Sequence, residues 1–243
     1  METAVVANFK EKFQTPPPLW FKDIKQEAYK RITEAPFAQA CRQGDKEVMK
    51  KLIVSLWPFV DIFPRLVRRG YIRLMSPAMY FRYGILTMLS LNYRSIVFLG
   101  SIEQDEKSHR ALWLDSGLAL ELQYPASYKP TTPQTQAWID EVAKKTNPSE
   151  MFLAFVAIEF IAESVSKNFI VSEHFKKAFG NSKSGLGWFT VHTIDHEDVS
   201  HENLELHLAC AFHSQSGTDM QNMAEHTIMG VIHKFLIAAN ACG

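Results

Sequence analysis

Imidazoles and carboxylates recur at helical spacing in stretches of this sequence that are otherwise apolar. Gly187 to His213 reads as one helix. At about 100° per residue, His192 and His196 share a face with Trp188, Val199, Asn203, Leu206 and Cys210, the side expected to meet the core. Asp195 falls at its edge, and Glu197, Asp198, His201, Glu202 and Glu205 fall on the opposite side, expected to be solvated. Neutral imidazoles on an apolar face are costly to desolvate unless each ring nitrogen finds a partner, and a hydrogen-bonding group or a metal ion can serve.

Two further stretches repeat the pattern. Leu99, Ile102, Glu106, His109 and Trp113 share one face, so a carboxylate and an imidazole three residues apart interrupt an apolar stripe and can chelate one edge of a metal. Phe152, Val156, Glu159, Glu163 and Ile170 form the other face. Buried acids need a cation, and Arg65, Arg68, Arg69 or Arg94 could neutralise them as well as a metal could. Carboxylate oxygens mixed with imidazole nitrogens, without thiolate, suit iron or manganese rather than structural zinc. Four or more such ligands allow two ions, and a site with open positions activates dioxygen.

The elements that must position these groups are helices. Pro16, Pro17 and Pro18 break the chain before a helix from Leu19 to Thr33, and Gly44 and Asp45 read as a stop followed by an N-cap. A long stripe from Asp45 carries Pro58 and Pro64 and is expected to kink there and end at Gly70. Pro77 to Tyr93, Ile96 to about Leu118, Pro133 to Lys145, Asn147 to about Phe175 and Thr218 to Ala239 complete the set. Few stretches alternate with period two, so the class is all-α, a compact bundle of about eight helices. With 243 residues and 47% hydrophobic content, residues 1–243 are expected to form a single domain, with N-terminal helices over 1–44 and the metal-site bundle over 45–243.

Charge excludes several partners. Lys plus Arg equals Asp plus Glu at 26 each, so no net field favours nucleic acid or an anionic bilayer. The most apolar stretch, Tyr83 to Tyr93, is shorter than a membrane span, and no export signal is read at the N-terminus. Cys41, Cys210 and Cys242 are odd in number and widely spaced, which fits a reducing cytoplasm.

At these motifs the chain resembles the haem-oxygenase-like superfamily. The likeness is to its CADD-like, TenA/PqqC-related members and its di-iron oxidases, among them the alkene-forming fatty-acid decarboxylases (UndA). It runs from about Asp45 to Leu208 through Val48–Phe63, Glu106–Trp113, Ala157–Glu163 and His192–Leu206. In that family the first motif supplies a Glu and a His, the middle helix a Glu, and the last a His followed four later by an Asp. Carried over, these land on Glu106, His109, Glu163 and His192. Where the pattern has Asp this chain has His196, and where some members have a further His it has Val199. Asp198 and His201 restore the Asp-x-x-His portion only if the helix is bulged or unwound by about two residues.

The resemblance implies a non-haem iron or di-iron oxygenase or oxidase, with Glu106, His109, Glu163, His192 and His196 as ligands. Glu159, Asp195, Asp198 and His201 are further ligands or supporting groups. Iron, as one or two ions, or manganese would be the metal. Dioxygen would be co-substrate, and a fatty acid, amino acid or aromatic molecule the substrate. A homodimer is compatible with these features. Three alternatives remain: a TenA-like hydrolase, for which Cys210 is the core-side thiol; a helical interaction module; and a ferritin-like pairing of Glu106-x-x-His109 with Asp198-x-x-His201. The last lacks its leading acid, since no Glu occurs between Glu47 and Glu103.

Overall fold

Proline and short polar side chains set most of the helix starts. The computed structural model describes residues 16–123, 131–193, 201–213 and 219–242. Pro18 precedes α1 (Leu19–Glu34), and α2 (Pro36–Arg42) has proline at its first position. Asp45 accepts hydrogen bonds from the amides of Glu47 and Val48 and opens α3 (Lys46–Leu74). Ser76 leads into α4 (Pro77–Tyr83), and Gly84 separates it from α5 (Ile85–Ala119). The side chains of Thr132, Asn147, Ser172 and Asp219 cap α6 (Pro133–Ala143), α7 (Pro148–Ile170), α8 (Glu173–Ala178) and α11 (Met220–Asn240). Between the last two lie α9 (Gly187–Val191) and α10 (His201–His213). Among the described residues every regular element is helical.

The centre is α7, which is apolar on nearly all sides and buries Phe152, Phe155, Val156, Phe160 and Phe169, as a helix enclosed by others must. It is packed by α10, α11, α1, α9 and α2, while α3 runs along α5 and α6 bridges α3 to α11. α3 stays helical through Pro58 and Pro64. Proline has no amide to offer the carbonyl four residues earlier. On either side of that carbonyl, Ile53 O accepts from Trp113 Nε1 at 3.0 Å and Ser55 O from Thr135 Oγ1 at 2.8 Å. The proline-bearing stretch is thereby tied to α5 and α6.

Eleven described helices replace the expected eight or so, and several boundaries move for physical reasons. Gly70 does not end α3. It is a packing glycine, because a Cβ there would lie 2.6 Å from Met151 Sδ on α7. Gly84, at φ 83°, does break the helix expected to run from Pro77 to Tyr93. Beyond it α5 continues through Asn92–Arg94, where two helices were expected, since no glycine or proline falls between Gly84 and Gly100. As one element, α5 is long and apolar enough to cross a membrane by length and composition. Its Met88, Phe98, Leu99, Ile102 and Trp113 are buried within the bundle.

The junction of α4 and α5 is also the most apolar part of the described surface. Phe81 is 91% exposed and Leu86 84%, with Ile85, Leu89 and Tyr93 also exposed. From Asp61 to Glu103 the intervening sequence has six arginines and no acid: Arg65, Arg68, Arg69, Arg73, Arg82 and Arg94.

Candidate metal centre

Because α5 is unbroken, Glu106 and His109 emerge on the face fixed by buried Leu99, Ile102 and Trp113, as their spacing predicts. His109 Nδ1 lies 3.2 Å from Glu106 Oε1. Opposite them, α9 stops at His192, whose ring lies 4.6 Å from that of His109 and 4.2 Å from that of Trp188. His192 Nδ1 is 2.7 Å from the Trp188 carbonyl oxygen and donates to it, so Nε2 is left as a lone-pair donor toward any electrophile. One ligand atom from each of Glu106, His109 and His192 can be chosen so that all lie within 4.8 Å of one another. A divalent ion at about 2.1 Å from each would draw them to within about 4.2 Å of one another, so small side-chain shifts would close the set around it.

Electrostatics follow this geometry. Burial disfavours the His109 imidazolium, but the carboxylates of Glu106, Glu159 and Asp105 outweigh it, and its pKa is raised. Burial, reinforced by His109, lowers that of His192, which keeps the ring neutral and able to ligate.

A second group faces the same interior from α7 and α10. His201 Nδ1 is 3.6 Å from Glu159 Oε1. Burial raises the Glu159 pKa, yet His201, His192 and His109 together bring it below the ordinary value. Glu202 and Glu205 are 8% and 1% exposed, contrary to the solvated side expected for them. The correction has a clear cause. The sequence stretch is not read out as one helix: α9 ends at Val191, with His192 and Thr193 in a turn beyond it, so the phase set by Trp188 and His192 does not carry to α10. On α10 alone, Glu205 shares a face with His201, Leu208 and Phe212, a signal visible only when this helix is read apart from α9. His201 thus stands beside Glu159 rather than in solvent. Asp195, His196 and Asp198 lie outside the described residues.

Glu163 is placed differently from the role carried over to it. Its Oε2 is 2.8 Å from Lys25 Nζ and its Oε1 2.7 Å from Lys167 Nζ. Lys25 also reaches Glu202 Oε1 at 2.8 Å. Burial works against the Glu163 carboxylate, but Lys167, Lys25 and Tyr29 outweigh it and lower its pKa. The carboxylate of α7 that turns toward the imidazoles is Glu159, one turn earlier. The cations that neutralise Glu163 are lysines, not the arginines weighed as the alternative to a metal.

Glu106, Glu159 and His192 line one end of a cavity of about 60 Å³. The rest of its wall is apolar, from Leu56, Phe59 and Phe63 on α3, Trp113, Trp138, Trp188, Val165 and Phe235. Neither lysine, arginine nor cysteine is among the lining residues. Cys210, the thiol a hydrolase would use, is off this wall, and burial raises its pKa.

No family model matches the chain, and no curated protein matches it in sequence. Among solved structures it is similar to a TenA homologue from Pseudomonas syringae pv. tomato str. DC3000. The TM-score is 0.75 at 15% identity, over 94% of this chain and 97% of that one. The protein thus has an all-α, TenA-like helical fold.

Proposed function

We propose that the protein is a metal-dependent oxidase or oxygenase that binds iron, or manganese, through Glu106, His109 and His192 and acts with dioxygen on a small apolar organic substrate. The observation that carries this reading is the meeting of those three ligand groups at one end of an otherwise apolar cavity. A mixed carboxylate and imidazole donor set fits a redox-active divalent ion. Such an ion, when bound with open positions, supplies dioxygen activation and one-electron chemistry.

The chain's own groups account for the rest. The Trp188 carbonyl fixes the His192 tautomer, and Glu106 orients His109 from the preceding turn. Aromatic walls from Phe59, Phe63, Trp113 and Trp138 exclude water and hold an aliphatic or aromatic body. Among the described residues no lysine or arginine lines the cavity, so a substrate carboxylate has its favourable place at the metal end and its apolar part points toward Phe37 and Phe235. A fatty acid, an amino acid or an aromatic acid meets this description. The absence of any cysteine from the lining favours this reading over thiol-dependent hydrolysis.

Elemental analysis of protein purified from iron-supplemented cells is expected to find at least one iron per chain. Glu106→Gln and His192→Ala are each expected to lower affinity more than about 100-fold, beyond the usual effect of groups that only support ligands. Iron and manganese both well below one per chain would overturn the reading.

A further inference from the structure

The corner where α4 meets α5 is held by its inward side chains and leaves its outward ones bare. Tyr83 is buried, with its ring 5.6 Å from that of Phe212 on α10. Phe81, two positions earlier and so on the far side of α4, is turned outward and almost fully exposed. On α5, Met88, Leu91 and Asn92 are buried, while Ile85, Leu86, Leu89 and Tyr93 form an exposed face. Asn92 Nδ2 donates to Leu74 O at 3.2 Å and to Tyr80 Oη at 2.9 Å, which ties the ends of α3 and α4 to this part of α5. Ile72 and Met75, at that end of α3, are exposed too. Grouped apolar side chains left in water mark a docking face.

Charge says what covers it. Arg68 and Arg69 are exposed about one turn before Ile72 on α3, and exposed Arg82 adjoins Phe81. Arg65 is paired with Asp61, but among the described residues no carboxylate pairs with these three. We propose that this corner is a membrane-docking surface: its apolar side chains enter the interface of an anionic phospholipid bilayer, and Arg68, Arg69 and Arg82 meet the lipid phosphates. Interfacial helices bind anionic lipid by this combination of apolar side chains and flanking cations. Equal totals of acids and bases oppose such a partner only where the two are mixed, and no acid lies between Asp61 and Glu103. A second copy of the chain is the poorer occupant. A two-fold contact would set each guanidinium group near its own counterpart, with no acid from this stretch to answer it. A protein partner would need pockets for Phe81 and Leu86, whereas a bilayer accepts protruding side chains without a matching shape. The proposal is independent of any metal at Glu106, His109 and His192.

The test is co-sedimentation of the full chain with vesicles. Wild type is expected to pellet at low salt with vesicles of phosphatidylglycerol and phosphatidylcholine in about equal parts. It should bind at least about tenfold more weakly to phosphatidylcholine alone, or once salt reaches about 0.5 M. The double variant Phe81→Ser, Leu86→Ser changes two protruding side chains. It is expected to lose at least about tenfold in binding to the anionic vesicles while melting within about 2 °C of wild type. Should it fail to fold, the triple variant Arg68→Gln, Arg69→Gln, Arg82→Gln keeps the apolar tip and is expected to lose at least about tenfold, together with most of the salt dependence. Lysine at the same three positions should restore binding to within about threefold of wild type, since the charge is kept. Wild type left in the supernatant with anionic vesicles at low salt would overturn the proposal, as would equal binding to both kinds of vesicle or undiminished binding by either variant. A dimer in sedimentation equilibrium that the Phe81→Ser, Leu86→Ser pair dissolves would give the face to a second copy and overturn it as well.

Discussion

Glu159 and Glu163 stand one turn apart on the same central helix, and their surroundings are opposite. Glu163 is gripped by two lysines within 2.8 Å, from α1 and from its own helix. Glu159 faces an imidazole at 3.6 Å and, beyond it, other acids and histidines. The first arrangement is complete without any added ion: each charge has its counterion, and the group ties α1 to α7. The second sets carboxylates and imidazoles together, with no lysine or arginine pairing Glu159 among the described residues. The same residue type thus ties helices together at one position and, in the function proposed above, serves the metal site at the next. The difference lies in which partners the tertiary fold brings up.

The sharpest way to break this comparison is to exchange each carboxylate for its amide. Glu159→Gln is expected to lower metal affinity by at least about tenfold while the metal-free protein melts near the wild-type temperature. Glu163→Gln should keep its metal and lose about 1–2 kcal/mol of stability, because Lys25 and Lys167 lose a charged acceptor in a partly buried setting. Equal metal loss in both variants, read by elemental analysis, would erase the distinction.

A milder test uses acid. The Glu163 pKa is lowered in the fold, so its contribution to stability is present above the unfolded-state value and is lost as pH falls through the folded value. Metal-free wild type should therefore lose stability more steeply than Glu163→Gln as pH drops below the ordinary carboxylate range, measured by denaturant midpoints. Parallel curves would show that the lysine pair adds nothing.

The smallest effect is expected at Trp113. Trp113→Phe removes the indole bond to Ile53 O and loosens the wall against Trp188, whose carbonyl orients His192. About 1 kcal/mol of stability should go, with metal affinity changing less than about tenfold. A full loss of metal would make Trp113 part of the site's support rather than of the α3 anchor.

What local spacing could reveal follows from these contrasts. The Glu106 and His109 face was legible because α5 carries its phase without a break from Leu99 to Trp113. His192 was found as a candidate, but its partners on the same stretch were misjudged. Because α9 ends at Val191, it does not share one wheel with α10, and Glu205, expected on the solvated side, is buried. The choice between Glu159 and Glu163 was not legible at all, since both lie on the buried stripe. Lys25, more than a hundred residues away in sequence, decides which of them is neutralised.

The arginine-only stretch of α3, α4 and α5 gives the overall neutrality a different meaning. A pI near 7.1 is an average over the chain, whereas six guanidinium groups and no acid between Asp61 and Glu103 gather positive charge around exposed Phe81 and Leu86. Positive charge is therefore concentrated in this stretch of the chain, next to its most exposed apolar side chains. Any partner drawn to this end by charge would be released as salt screens it, although the bulk charge of the chain is zero.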